Sequence, residues 1–279
     1  MLKSVLFLIG ILSTAAVSAD PMVEQMVVRI AGPQTENDPS FDYFSGLLTE
    51  VFRVTENDYR PVDLQVVPFP GQGRTVLELA QGRRFDVIWT AKSPLRDDTL
   101  KRISLPLMRN GLGWRGFVIR ADRQEAFRQI HDLKSLSKLR ACQGQHWPDA
   151  DILEMAGLPV LRIESIDTMF AMVANSRCDY LPLSVFEGKG ETNNARVTYP
   201  ELRFFTDTLL AYSLSMHFFV HPQNTLLAQR IERGLMQLEA VGWIEEYMRN
   251  HRLTASAFPL EQFASSHVIE IGDVQALAF

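Results

Sequence analysis

Cysteine is scarce: the 279 residues hold only Cys142 and Cys178. That excludes a small disulfide-stapled scaffold and any zinc site built on clustered cysteines. Basic charge is scarce too. Lys and Arg number 28 against 33 Asp and Glu, a formal charge of −5, and no basic stripe runs along the chain. Nucleic acid is therefore not expected as a partner. The most apolar run, residues 5–12, falls well short of the ~20 residues a membrane-spanning helix needs. No His-Glu-x-x-His, Gly-x-Ser-x-Gly or phosphate-loop pattern occurs, so no cofactor and no metal are expected. His217 and His221 are four apart, but their segment reads as a strand, where four residues span about 13 Å. That is too far for two ligands of one ion.

What is present starts with a leader. Lys3 supplies a positive end, residues 5–12 (VLFLIGIL) an apolar core, and Val17-Ser18-Ala19 the small residues before a cut at Asp20. Residues 1–19 are expected to be a signal peptide cleaved after Ala19, which sends the chain to the periplasm. No cysteine follows the apolar core, so no lipid anchor is expected. Hydrophobic residues make up 46% of the chain, enough for an ordinary core, and the length suits two domains.

The chain then alternates strands and helices. Residues 26–31 (MVVRIA) read as a strand. Asp38 and Pro39 open a helix whose apolar face carries Phe41, Phe44, Leu47, Leu48, Val51 and Phe52. Strands are expected over 62–69 and 86–90, with a helix between them that stops at Gly82. A second run of the same order follows: strand 139–143, helix 148–156, strand 160–164, a helix capped by Asp167, and strand 179–183. Such β-α-β-α-β order implies a parallel sheet with helices on its faces. The two runs share a sequence register as well. Residues 79–89 and 172–182 align at a spacing of 93, pairing Gly82 with Asn175, Arg84 with Arg177 and Asp86 with Asp179. Cys142 and Cys178 would then lie on parallel neighbours at different heights, and two buried thiols are expected rather than a bridge.

Between the runs lie extended residues 103–120, and after the second run extended residues 209–220. Two strands crossing between two Rossmann-like α/β lobes make a hinge. Gly111-Leu112-Gly113-Trp114-Arg115-Gly116 is a literal G-x-G-x-x-G, but strand-like Phe117-Val118-Ile119 follows where a dinucleotide site needs a helix. Its glycines are expected to let the hinge flex. Helices over 224–240 and 243–251 are expected to pack back on the first lobe, and residues 268–271 to add an edge strand. Lobe 1 is then 20–112 plus 212–279, and lobe 2 is 113–211.

Ligands of open α/β sheets bind beyond the carboxyl ends of the strands. Arg96 lies there in lobe 1, where a guanidinium grips a carboxylate with two parallel hydrogen bonds. Trp89 ends the same strand, as a pocket floor or a core residue. Gly71-Gln72-Gly73-Arg74 sits where a strand turns into a helix, an anion site strengthened by Arg74 or a plain turn. In lobe 2, Gln145, His146 and Trp147 occupy the corresponding strand end, and Glu187 follows the last strand. Asp149 and Asp151 read as first-turn helix charges.

The chain resembles the bacterial extracellular solute-binding proteins of family three, the amino-acid transporter type with the type II periplasmic-binding fold. The resemblance rests on residues 77–89 (LELAQGRRFDVIW), 93–107 (SPLRDDTLKRISLPL), the glycine-rich hinge, Gly144 to Trp147, and 175–184 (NSRCDYLPLS). It implies two lobes that close on a ligand and present it to a membrane permease. Counting from Trp89, which stands at the family's glycine, the carboxylate-gripping arginine falls on Arg96. Three places depart: Ala91 replaces a threonine, residues 143–146 replace a Ser-Gly-Thr loop, and Ser184 replaces the ammonium-binding aspartate. Unless Glu187 takes the place of that aspartate, the expected ligand is a small molecule with a carboxylate and no ammonium, and the partner a permease or a membrane sensor reading a monomer. The alternatives are a ligand-free scaffold acting through protein contacts, and a secreted dehydratase-like enzyme using His146 and Glu187.

Overall fold

The structure is a computed structural model that describes residues 25–274 and 277; the expected leader lies outside them. The first run is β1 (Met26–Ala31), α1 (Pro39–Val54), β2 (Val62–Val67), α2 (Gln72–Ala80) and β3 (Val87–Ala91), followed by α3 (Pro94–Thr99) and β4 (Lys101–Arg102). β5 (Leu107–Asn110) leads to the crossover and β6 (Trp114–Arg120) leaves it. Two short helices, α4 (Gln124–Arg128) and α5 (Leu133–Leu136), precede the second run. That run is β7 (Ala141–Gly144), α6 (Pro148–Met155), β8 (Val160–Ile163), α7 (Ile166–Ala174), β9 (Leu181–Ser184) and α8 (Gly188–Ala195). The chain returns along β10 (Leu202–Tyr212) and β11 (Met216–Val220) and closes with α9 (Thr225–Ala240), α10 (Trp243–Asn250) and β12 (His267–Ile271).

Each lobe has its own sheet. The first runs β2-β1-β3-β11-β4, with β1, β2 and β3 parallel and β11 antiparallel to β3. In the second, β12-β10-β6-β9 is extended by the parallel pair β7-β8 through a bridge from Ala141 to Tyr180. Both lobes thus place the first strand of the run between the second and third, and lay an antiparallel strand beside the third. The expected repeat is structural. Asp86 N–H donates to the Arg29 carbonyl and its carboxylate accepts the Arg29 N–H; Asp179 does the same with Arg140. Each aspartate pins its strand to the first strand of its lobe.

Local chemistry accounts for the helix starts. Asp38 caps α1 by accepting the Phe41 N–H at 2.9 Å, with Pro39 in the first turn. The cap expected at Asp167 sits instead at Ser165, and Asp167 is a first-turn charge. The α9 stripe of Leu227, Ile231, Leu235 and Leu238 is buried with Leu47, Leu48, Val51 and Phe52 of α1, so the closing helix packs on the first lobe. The tail differs: β12 pairs in parallel with β10 and so joins the second sheet, although residues 212–279 were expected to run with lobe 1. Among the described residues no helix is long and apolar enough to cross a membrane.

One further expectation is corrected. Cys142 and Cys178 form a disulfide with Cα atoms 5.6 Å apart. The strand β9 begins only at Leu181. Cys178 still lies in the turn after α7, its N–H held by the Met172 carbonyl, and that turn carries it beside β7. The hinge glycines also sit at close approaches. A Cβ on Gly113 would fall 1.8 Å from the Tyr212 carbonyl oxygen, because the two crossover segments touch backbone to backbone. We predict that Gly113→Ala destabilises the fold by at least ~2 kcal/mol, read as a lower urea midpoint, since backbone must shift to admit the methyl. An unchanged midpoint would disprove the close-packing account.

Candidate functional site

The lobes meet over a cavity of about 130 Å³. One water occupies roughly 10–15 Å³ on this measure, so the space suits a small organic molecule. Lobe 1 contributes Asp38, Ser40, Phe41 and Phe44 from the start of α1, Gln72 from α2, and Trp89 from β3. Lobe 2 contributes Trp147 and Asp149 at the start of α6, Phe170 from α7, and Glu187 and Glu191 at the start of α8. Arg115 enters from β6. Trp89 stacks on Phe44 with centroids 5.6 Å apart and tilts against Phe41 at 6.1 Å, so it is both part of the core and part of the wall.

Hydrogen bonds cross the cleft. The Ser40 hydroxyl donates to Glu191 at 2.7 Å, and the Asn194 amide donates to the Asn37 carbonyl at 3.2 Å. Arg96 donates through Nη1 to the Ala91 carbonyl at 2.6 Å and through Nη2 to Gln72 at 3.0 Å and to the His146 carbonyl, across the cleft, at 2.7 Å. Burial pushes Arg96 down to about 10, with Asp149 and Asp151 opposing, so it stays charged at neutral pH. Arg96, expected at the ligand, links the two lobes in this structure.

The seven expected residues divide between two places. Trp89, Trp147 and Glu187 line the inner cavity. Arg74, Arg96, Gln145 and His146 line a second, more open groove at the cleft mouth. There the His146 ring lies against Gly73, where a Cβ would come within 2.7 Å of it, and Arg74 is largely exposed and paired with Glu78 at 3.3 Å. Neither guanidinium expected to hold a carboxylate therefore lines the inner cavity. Ser184 is fully buried; its hydroxyl donates to the Gly111 carbonyl at 3.1 Å and accepts the Phe186 N–H, which closes the turn after β9.

The charged centre of the cavity was not read from the sequence. Arg115 Nη2 meets Asp149 Oδ1 at 2.5 Å, and the Tyr212 hydroxyl donates to the same oxygen at 2.6 Å. Arg115 and Asp149 are 3% and 4% exposed, so Asp149 is a buried ion-pair partner as well as a first-turn charge. Burial by itself lowers Arg115, but Asp149, Tyr212 and Glu187 outweigh it and the net direction is up. The available signal was a charged residue inside the apolar strand 114–119. Glu187 stands 3.9 Å from Arg115 Nη1, and burial, aided by Asp149 and Asp38 and opposed by Arg115, pushes it up to about 7. Glu191 is pushed up to about 8 by burial, with Asp38 and Glu187 adding to it and the Ser40 hydrogen bond and Arg252 opposing.

No family model and no curated protein matches the chain significantly. Solved structures do. A Salmonella typhimurium periplasmic binding protein described by its high arginine specificity superposes with TM-score 0.61 at 12% identity, over 81% of this chain and 98% of that one. A histidine kinase sensor domain with similarity to periplasmic binding proteins gives TM-score 0.62 at 14% identity, over 81% and 96%. A putative L-cystine ABC transporter protein from Listeria monocytogenes gives 0.60 at 14%, over 82% and 96%. The chain has the two-lobed periplasmic-binding fold expected from its sequence.

Proposed function

We propose that the protein is an exported solute-binding protein that closes its two lobes on one small molecule and presents the closed form to a membrane permease or a membrane sensor. The observation that carries this reading is the cavity between the lobes, walled by side chains from both and spanned by the Ser40–Glu191, Asn194–Asn37 and Arg96–His146 hydrogen bonds. The fold supports it, and solved proteins of this fold include both a transporter component and a kinase sensor domain. In this reading residues 1–19 are removed on export, lobe 2 comprises residues 113–211, and the mature chain acts as a monomer. Trp89, Trp147 and Glu187 contact the ligand. Arg96, with Arg74, Gln145 and His146 around it, closes the mouth. Binding rather than catalysis is favoured because His146, the proposed partner of Glu187 in acid–base chemistry, does not line the cavity that holds Glu187.

The test is a thermal-shift screen of the refolded mature chain against amines, carboxylates, amino acids and sugars, with X-ray scattering on any hit. A ligand at 100 times its dissociation constant adds about 2.7 kcal/mol. We expect a hit that also reduces the radius of gyration. No shift from any compound, with unchanged scattering, would sink the reading.

A further inference from the structure

The charges that line the inner cavity do not balance. Five buried or half-buried ionisable residues line it, Asp38, Arg115, Asp149, Glu187 and Glu191, with Asp167 exposed at the edge. Arg115 is the one cation among them, and it is already paired with Asp149. The other positive contribution comes from helix ends. The N-termini of α1, α6, α7 and α8 all reach the cavity, through Asp38, Pro148, Ile166 and Glu187. Each supplies about half a positive charge. With the four enclosed acids ionised the cavity is left with a charge of about −1. Burial holds Glu187 and Glu191 up near and above neutral pH, at about 7 and about 8. A positively charged group between Glu187 and Glu191 would offset this excess of negative charge.

The remaining walls fit the body of such a ligand. Phe41, Phe44, Phe69, Trp89, Trp147 and Phe170 line the same space, and aromatic faces attract organic cations as well as apolar carbon. Among the described residues no three His, Cys, Asp or Glu side chains are placed to share a metal ion, so the cation this wall suits is organic. We propose, resting on the solute-binding reading above, that the ligand is a small amine or amidine without a carboxylate, its cationic group between Glu187 and Glu191 and its apolar part against Trp89 and Trp147. Arg115, the guanidinium on this wall, is committed to Asp149 through Nη2 and leaves Nε without a partner, and one such donor cannot grip a carboxylate through two parallel hydrogen bonds.

The groups that face the two glutamates fix the expected pH response. Glu187 faces Arg115, Asp149 and Asp38; Glu191 faces Ser40, Asp38, Glu187 and Arg252. An amine keeps its charge over the neutral range while the glutamates lose their protons, so affinity rises with pH from about 6 to about 9 and binding releases protons.

The probes are charge-reversed pairs of similar shape: butylamine against butyrate, 1,4-diaminobutane against succinate, with arginine and glutamate as zwitterions. Titration calorimetry of the mature protein in phosphate and in Tris reads affinity and proton release together. The expected result is amine binding with protons released, weakened at least about tenfold in Glu187→Gln; the unfolding midpoint of that variant is measured to show that it folds. Tighter binding of the carboxylates or zwitterions overturns the cation assignment and leaves the solute-binding reading standing. Amine binding with proton uptake, or binding unaffected by both Glu187→Gln and Glu191→Gln, also overturns it. No binding from either set, with no lobe closure by scattering, overturns both readings.

Discussion

Replacing Arg115 by alanine is expected to remove about 3–5 kcal/mol of stability, the usual cost of leaving a buried charge without its partner. Arg115 and Asp149 are nearly inaccessible, and their contact at 2.5 Å is supplemented by the Tyr212 hydroxyl on the same carboxylate oxygen and by Glu187, 3.9 Å from the guanidinium. The side chains come from three places: the strand leaving the crossover, the helix that opens the second lobe's cleft wall, and the last residue of the strand that returns to the crossover. Removing the guanidinium leaves a desolvated carboxylate beside Glu187, which adds like-charge repulsion. For a chain of this size the loss corresponds to a drop of roughly 10 °C in Tm. The double variant Arg115→Met with Asp149→Leu should recover most of it, because the penalty belongs to the unpaired charge and not to the missing bond. Urea unfolding followed by circular dichroism measures all three proteins. A loss under about 1 kcal/mol in Arg115→Ala would show that water reaches Asp149 and that the pair is not a structural centre.

The second large effect is expected at the disulfide. Cys142 and Cys178 are 36 residues apart, and the closed loop holds α6, β8 and α7, the elements that shape the lobe 2 wall. Loop-closure entropy for that length gives about 3–4 kcal/mol of stabilisation through the unfolded chain. The Cys142→Ala/Cys178→Ala variant should unfold at a correspondingly lower urea concentration and be indifferent to reductant. The unmodified protein should match it only after reduction. Both sulfurs belong to residues at or below 2% exposure, so reduction should require partial unfolding and proceed slowly in the native state. Free thiols titrating in the oxidised, denatured protein would show that the bridge does not form.

These two sites mark where reading along the chain stopped working. The strands, the α1 start at Asp38-Pro39, the duplicated plan and the Asp86–Asp179 correspondence all follow from patterns a few residues long. Periodicity, capping and turn chemistry are local, and each lobe repeats them. The departures have a common origin. Cys178 is near Cys142 because a turn carries it there before its strand begins. Arg115 reads as part of a glycine pattern and Asp149 as a helix-end charge until their lobe folds them together. Ser40 and Glu191 are 151 positions apart and share a hydrogen bond across the cleft.

By itself the sequence determined the two α/β lobes, the crossing strands between them and most element boundaries, because hydrophobic period and turn residues act over one or two turns of chain. It also placed Trp89, Trp147 and Glu187 near a cleft, since strand ends and helix starts face it in this topology. Tertiary structure alone decided which charges share the cavity, which arginine bridges the lobes and which is buried, and that the crossover glycines serve contact. Those outcomes depend on distances between segments far apart in sequence, and on the loss of water that turns an ordinary surface acid into one whose charge needs a partner.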